Sequence, residues 1–267
     1  MTRLVLLILT CLAVTGCASK LVLETEDALA VIPRQISEYG HIVVETQLNG
    51  LGPFRFVIDT GASISVIYER AREKVGIEPL PSIKAHVFGI GGSDLFPLAQ
   101  VAEIRVGDEV WQDARVAILP DTSPIAARVD GILGVDFLRR YAVLHSRQEQ
   151  ALLLYPTELV SDELYAGWDN VTLRELRVGD GNVSVFVFDV HINNQQIPTV
   201  FDLGATVSLM NRRGARALDV LVRSPRTPPD IQGVVGSTEV LAELHVWRLE
   251  ISNSVWRNRI FLVGDFP

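Results

Sequence analysis

Residues 54–69, FRFVIDTGASISVIYE, drive one acid into a run of apolar and small side chains. Val57 and Ile58 lead into Asp59; Thr60, Gly61, Ala62 and Ser63 follow, and then β-branched residues resume. A carboxylate in low dielectric is costly unless it is paired, hydrogen-bonded or protonated. Asp59 therefore either caps a turn or is held for chemistry. The choice depends on whether a second acid meets it.

A second acid is present because the chain repeats itself. LNGLGPFRFVIDTGAS at 48–63 is echoed by INNQQIPTVFDLGAT at 192–206. Each copy opens on an Asn turn, Asn49-Gly50 or Asn193-Asn194, and Asn-Gly between alternating apolar runs is a strong hairpin signal. An apolar strand follows, then Asp, then Gly two positions on. VFGIGGS at 87–93 matches IQGVVGS at 231–237, and Val110-Trp111-Gln112 matches Val255-Trp256-Arg257. A fourth, weaker match pairs GILGVDF at 131–137 with FLVGDF at 261–266. Ordered internal matches of this kind point to two homologous units, and they make Asp202 the partner of Asp59.

Around these landmarks the texture is mostly strand. His41–Leu48, Leu98–Val106, Trp111–Leu119, Ala151–Tyr155, Val183–Ile192 and Leu241–Ile251 alternate or are β-rich, as half-buried strands do. Short helices are predicted at Tyr68–Val75, Asn211–Leu218 and Asp136–Tyr141, and a loop at Pro225–Asp230. Trp111 and Trp256, matched across the repeat, are expected in cores or between the lobes.

With 267 residues, 48% of them hydrophobic and 21% charged, the chain is globular. A formal charge of −8 and no Lys/Arg-rich block argue against nucleic acid as a partner. The N-terminus reads as a targeting signal: Arg3 precedes an apolar run from Leu4 to Val14, too short to span a bilayer. Val14-Thr15-Gly16-Cys17 resembles the lipobox of bacterial lipoproteins, which implies cleavage before Cys17 and lipidation of its thiol. Ala18 follows, with no Asp to signal inner-membrane retention, so the expected address is the periplasmic face of the outer membrane. Cys11 leaves with the signal, and residues 18–267 hold no cysteine, hence no disulfide.

The apolar-apolar-Asp-Thr-Gly-Ala-Ser run, the Gly-rich hairpin some thirty residues on and the later GILG resemble one lobe of an aspartyl protease, of the bacterial retropepsin-like and pepsin-like kind. The resemblance spans about residues 37–267. It implies a mostly all-β acid-protease fold: two homologous β-rich lobes, a few short helices and a cleft between the lobes. The expected parts are a signal peptide at 1–16, a lipid-anchored tether at 17–36, a first lobe at 37–157 and a second at 158–267. The resemblance makes Asp59 and Asp202 the catalytic dyad. Thr60, Gly61, Ala62 and Ser63 form one active-site loop, and Leu203, Gly204, Ala205 and Thr206 the other. Phe88, Gly89, Ile90, Gly91 and Gly92 become a flap, while Ile132, Leu133 and Gly134 support the first loop. The echo at Gly233–Gly236 is expected to be structural.

Two close carboxylates cannot both ionise, so one retains a proton and the pair serves as acid and base together. Such chemistry requires no cofactor and no metal, and the five His have no metal-ligand spacing. They are expected to be ordinary surface or strand residues. One departure stands out: Leu203 occupies a position where the family has Thr or Ser. The hydroxyls of the two loops brace each other in the family, so Leu203 is expected to leave Thr60 without its partner. The implied activity is a lipid-anchored, monomeric aspartic endopeptidase acting on peptide or protein substrates of the envelope. Two other readings stand beside it. One is a silent relative that binds extended peptides or envelope partners, and the other an enzyme that pairs the first lobes of two copies.

Overall fold

The computed structural model describes residues 25–160, 169–178, 183–218, 222–223 and 230–266. The signal segment, Cys17 and most of the expected loop at Pro225–Asp230 lie outside the described residues. The protein is mostly β, in two separate sheets.

In the first lobe, β1 (Ala30–Ile36), β2 (Ile42–Leu48) and β3 (Leu51–Ile58) form a meander. Along β2, Val44, Thr46 and Leu48 point inward while Glu45 and Gln47 face out, the alternation of a strand with one buried face. Asn49 and Gly50, both at positive φ, make the β2–β3 turn. Then come β4 (Val66–Tyr68), α1 (Glu69–Val75), the long hairpin of β5 (Pro79–Gly89) and β6 (Gly92–Val106), and β7 (Glu109–Leu119). β8 (Gly131–Leu133), α2 (Val135–Leu138), β9 (Ala142–Ser146) and β10 (Ala151–Tyr155) complete it. The sheet order is β5-β6-β7-β4-β8-β3-β2-β1-β10-β9. β10 lies between β1 and β9, and both its faces are covered: Leu152 and Leu154 enter the main core, and Ala151, Leu153 and Tyr155 a separate cluster.

The lobe begins earlier than the sequence boundary at residue 37. Residues 30–36, expected in the tether, form β1, with Ala30 and Ile32 buried in the main core. That core gathers Phe54, Phe56, Ile58, Leu133 and Phe137 with the inward side chains of β2 and β6. Each large side chain contributes about 1.5–3 kcal/mol of burial.

The second lobe holds β11 (Arg174–Val178), β12 (Val183–Ile192), β13 (Gln195–Val200), β14 (Leu209–Asn211) and α3 (Arg212–Ala217). These are followed by β15 (Val222–Arg223), β16 (Asp230–Gln232), β17 (Ser237–Ile251) and β18 (Ser254–Gly264). The internal repeat holds at the level of single bonds. Asn49 takes the amide of Glu103 on its side chain at 3.0 Å, and Asn193 takes that of Arg248 at 3.2 Å. Each Asn donates its own backbone N–H back to the same residue's carbonyl. The three expected helices form at α1, α2 and α3, the last capped by the Asn211 side chain accepting from Gly214 N–H at 2.8 Å.

The fourth sequence match is corrected by strand pairing. β14 runs parallel to Leu262-Val263-Gly264 at the end of β18, as β4 runs parallel to Ala117–Leu119 of β7. Leu262–Gly264 is therefore the counterpart of the end of β7 and not of Ile132-Leu133-Gly134. Among the described residues the second lobe has no equivalent of β8, α2, β9 or β10. Its core is correspondingly small, built on Phe188, Val190, Ile192, Leu244 and Val246. Trp111 packs on Phe137 of α2 at 5.8 Å between ring centroids. Trp256, expected to be covered, is 36% exposed because no α2 counterpart lies over it among the described residues.

Candidate active site

Asp59 follows directly on β3, and its own N–H donates to Leu133 O of β8 at 3.0 Å. Its side-chain Oδ1 accepts the N–H groups of Gly61 (2.8 Å) and Ala62 (3.1 Å). Asp202 follows β13 by two residues, and its Oδ1 accepts Gly204 N–H (2.7 Å) and Ala205 N–H (3.1 Å). The repeated Asp-x-Gly-Ala thus builds the same small turn twice, with each carboxylate turned back onto its own amides.

The glycines bring the two turns together. A Cβ on Gly61 would lie 2.6 Å from Asp202 Cγ, and one on Gly204 would lie 2.4 Å from Asp59 Cγ. Each carboxylate rests on the other loop's glycine, a close approach open only to a residue without a side chain. The two carboxyl groups are within hydrogen-bonding reach of each other. Burial first, then the charge of Asp202 and the hydrogen bond to it, push the Asp59 carboxyl up to about 7. The amides of Gly61 and Ala62 pull the other way, less strongly. Asp59 is half-buried and Asp202 exposed, so the pair is asymmetric, with the shared proton favoured on Asp59.

Thr60 is not left without a partner, contrary to the expectation drawn from Leu203. Its Oγ1 donates to Phe201 O at 2.7 Å and accepts the Leu203 N–H at 2.9 Å. Both partners are backbone groups, so the side chain at 203 is irrelevant to this half of the brace. The Leu203 side chain instead packs against the main core of the first lobe. An apolar contact thus stands where a second hydroxyl brace was expected.

Ile132, Leu133 and Gly134 lie beside the Asp59 loop. β8 pairs in parallel with β3, matching Ile58 with Leu133, and Val135 N–H donates to Ala62 O at 2.8 Å. Gly134 passes so close that a Cβ there would meet Ala62 O at 2.7 Å. The sequence reading missed the clamp behind it. Asp136 accepts Ser65 N–H (2.8 Å) and Ser65 Oγ–H (2.6 Å), while Ser65 Oγ accepts Gly134 N–H (3.0 Å). Burial raises the Asp136 carboxyl above the usual range. A lone acid between apolar residues, as in Gly134-Val135-Asp136-Phe137, was the available signal. Ser63 is half-buried and Thr206 exposed at the outer ends of their loops.

The hairpin tip at Gly89–Gly92 reaches the second lobe. Gly91 N–H donates to Val235 O at 3.1 Å, and Ile90 lies against Gly233. Cβ atoms on Gly89 or Gly91 would collide with the backbone of Val235, Gly236 and Ser237. Phe88 sits on the exposed side, its ring 4.5 Å from that of His86. The echo at Gly233–Gly236, expected to be merely structural, is a second hairpin tip joining β16 to β17. Its Val234 and Val235 pack on a first-lobe cluster that includes Ala62, Ile64, Val66, Val87 and Ile132. Two tips, one from each lobe, therefore meet back to back, and the second is seated on apolar residues flanking the Asp59 loop.

Comparison with known proteins gives three findings. A search of curated proteins returns no match. A solved structure described as a retropepsin-like aspartic protease from Rickettsia conorii is 16% identical, with a TM-score of 0.33, over 47% of this chain and 88% of that one. That likeness is too low to bear on the fold. Residues 44–137 match the family model described as aspartyl protease, and this segment holds Asp59 with its loop, the first hairpin tip and the supporting strand β8.

Proposed function

We propose that the protein is an aspartic endopeptidase in which one chain supplies both acids. The observation that carries this reading is the reciprocal seating of the two carboxylates, each against the other loop's glycine and within hydrogen-bonding reach of its partner. Asp202, the exposed member of the pair, is the base; Asp59, with its raised affinity for a proton, is the acid. A water between them gives a proton to Asp202 as its oxygen bonds to the scissile carbonyl carbon. The carbonyl oxygen takes the proton of Asp59. The C–N bond then breaks as Asp202 returns its proton to the amine nitrogen, and a gem-diol hydroxyl proton restores Asp59. The two hairpin tips must part to admit an extended peptide, whose backbone can then take the place of Val235 O at Gly91 N–H.

The reading extends to location: a lipid on Cys17 holding the enzyme at the periplasmic face of the outer membrane, with envelope proteins as substrates. The motif Val14-Thr15-Gly16-Cys17 supports it. A peptide-binding protein without catalysis is the second reading, favoured by the absence of a β8 counterpart behind Asp202 among the described residues. A first-lobe dimer gains nothing, because Thr60 already finds its partners at Phe201 and Leu203 of the same chain.

Digestion of a peptide library by residues 18–267 between pH 3 and 7 tests the proposal. Cleavage abolished by Asp59→Ala and by Asp202→Ala supports it. Peptide binding without cleavage establishes the second reading, and full activity in Asp202→Ala removes the single-chain dyad. Fractionation of cells carrying Cys17→Ser tests the anchor: the variant should leave the membrane fraction or remain unprocessed.

A further inference from the structure

The second lobe repeats the strands that flank β8 without repeating β8. In the first lobe β8 lies between β3 and β4, parallel to the one and antiparallel to the other. β13 and β14 are the counterparts of that pair. Ser208 O accepts the Leu262 N–H at 2.9 Å, just as Ser65 O accepts that of Ala117 at 2.9 Å. Yet among the described residues β13 pairs only with β12, and β14 only with β18. Two strand edges that enclose a central strand in the first lobe are thus open in the second. The side chains agree. Val57 and Ile58, in register with Ile132 and Leu133, are each 1% exposed, whereas their counterparts Val200 and Phe201 are 39% and 55% exposed. Val207, the counterpart of Ile64, is exposed as well.

The first lobe also shows how the strand in that place is held. Arg70 of α1 donates to the carbonyls of Ala126 and Val129, the latter at 2.7 Å, and to the Asp130 carboxylate at 3.3 Å. It thereby fixes the acid that stands just before Gly131-Ile132-Leu133. The counterpart of Arg70 is Arg213 of α3. Arg212, Arg213 and Arg216 line a cavity of about 440 Å³ together with Asn211, Asp265 and Phe266. Asp265 is the one acid in that lining. All three Arg are exposed, and among the described residues none of them forms an ion pair. An open strand edge is a template for another strand, and a guanidinium selects a carboxylate. We propose that the place between β13 and β14 docks an extended segment of a partner protein. Its acidic residue meets Arg213, and two apolar residues, second and third after the acid, cover Val200 and Phe201. That order is the order of Asp130, Ile132 and Leu133. The docked strand offers a carbonyl to the Asp202 N–H, as Leu133 does to that of Asp59. This surface lies behind the Asp202 loop and is separate from the space between the carboxylates and the hairpin tips. Docking there goes beyond the protease reading and stands whether or not the dyad cleaves peptides.

The probe is a synthetic peptide of residues 126–137, AARVDGILGVDF, the first lobe's own version of such a segment. It is titrated calorimetrically into residues 18–267, both wild type and Asp59→Ala, the second to keep the probe intact. Both should bind one peptide. Arg213→Glu in the protein should weaken binding about tenfold or more, and so should Asp130→Ala in the peptide, which leaves the protein unaltered. Pairing Arg213→Glu with an Asp130→Arg peptide should restore much of the loss. By hydrogen exchange, amides of β13, β14 and the Asp202 loop should gain protection, and those of the tips at Gly89–Gly92 and Gly233–Gly236 should not. Absence of binding, binding indifferent to both Arg213→Glu and Asp130→Ala, or protection confined to the tips overturns the proposal. So does a wild-type dimer in ultracentrifugation that Arg213→Glu dissociates, because a second copy then occupies the place. Binding and exchange are read without cleavage, so failure of the protease reading and failure of this one are distinguishable.

Discussion

Thr60→Val removes a hydroxyl while keeping the shape of the side chain, and it acts on the brace between the lobes. Two hydrogen bonds are lost, Oγ1–H to Phe201 O at 2.7 Å and Leu203 N–H to Oγ1 at 2.9 Å. Each contributes about 1 kcal/mol net, and the cost rises where the abandoned group stays away from water. Leu203 is half-buried, so its N–H bears most of that cost. The Phe201 region is exposed, and water can re-bond its carbonyl. The expected sum is about 1–2 kcal/mol, or roughly a five- to thirtyfold fall in kcat if the whole loss is felt at the dyad. The assay is kcat and KM on a cleaved library peptide, run beside a thermal melt, with Thr60→Ser as the control that keeps the hydroxyl. KM should change little, because the brace joins the two loops to each other through backbone groups. Thr60→Val indistinguishable from wild type in both rate and melting, or Thr60→Ser as damaged as Thr60→Val, would refute the reasoning.

Three further outcomes are expected. Leu203→Thr should alter activity less than about threefold, because a new hydroxyl brace worth about 1 kcal/mol offsets a comparable loss of apolar contact with the first-lobe core; Leu203→Ala, which gains nothing, should melt lower, and equal melting of all three proteins would contradict the contact. Gly204→Ala places a methyl 2.4 Å from Asp59 Cγ, and the resulting displacement should cost about a hundredfold in kcat; a variant keeping a tenth of wild-type activity would show that the loops are not so tightly apposed. Asp59 binds its proton more tightly folded than unfolded, so its contribution to stability is full below about pH 4 and is lost as pH rises towards about 7. Asp59→Asn should therefore match wild type in acid and gain on it through that window, by an amount on the order of a few kcal/mol; parallel denaturation curves from pH 4 to 8 would refute the raised proton affinity.

The repeat, and with it the pairing of Asp59 with Asp202, is legible in the residues alone. Those features are local: an Asn turn, an apolar strand, an acid and a Gly follow in order, and each step is enforced by backbone geometry that leaves a residue signature. The two hairpin tips, α1 and α3, and the strands that carry the acids were legible for the same reason. The remainder depends on contacts between segments far apart in the chain. Leu262-Val263-Gly264 resembles Ile132-Leu133-Gly134 in composition, but a three-residue apolar run does not specify its neighbour, and only pairing with β14 shows it to be the end of β7 repeated. Leu203 read as a lost brace because side chains are what a sequence displays. The bonds of Thr60 go to backbone groups that any residue at 201 and 203 would offer. Backbone partners and contacts between lobes leave no mark in residue identity, which is why the two acids and the segment at 132–134 could be named from the sequence and the partners of Thr60 could not.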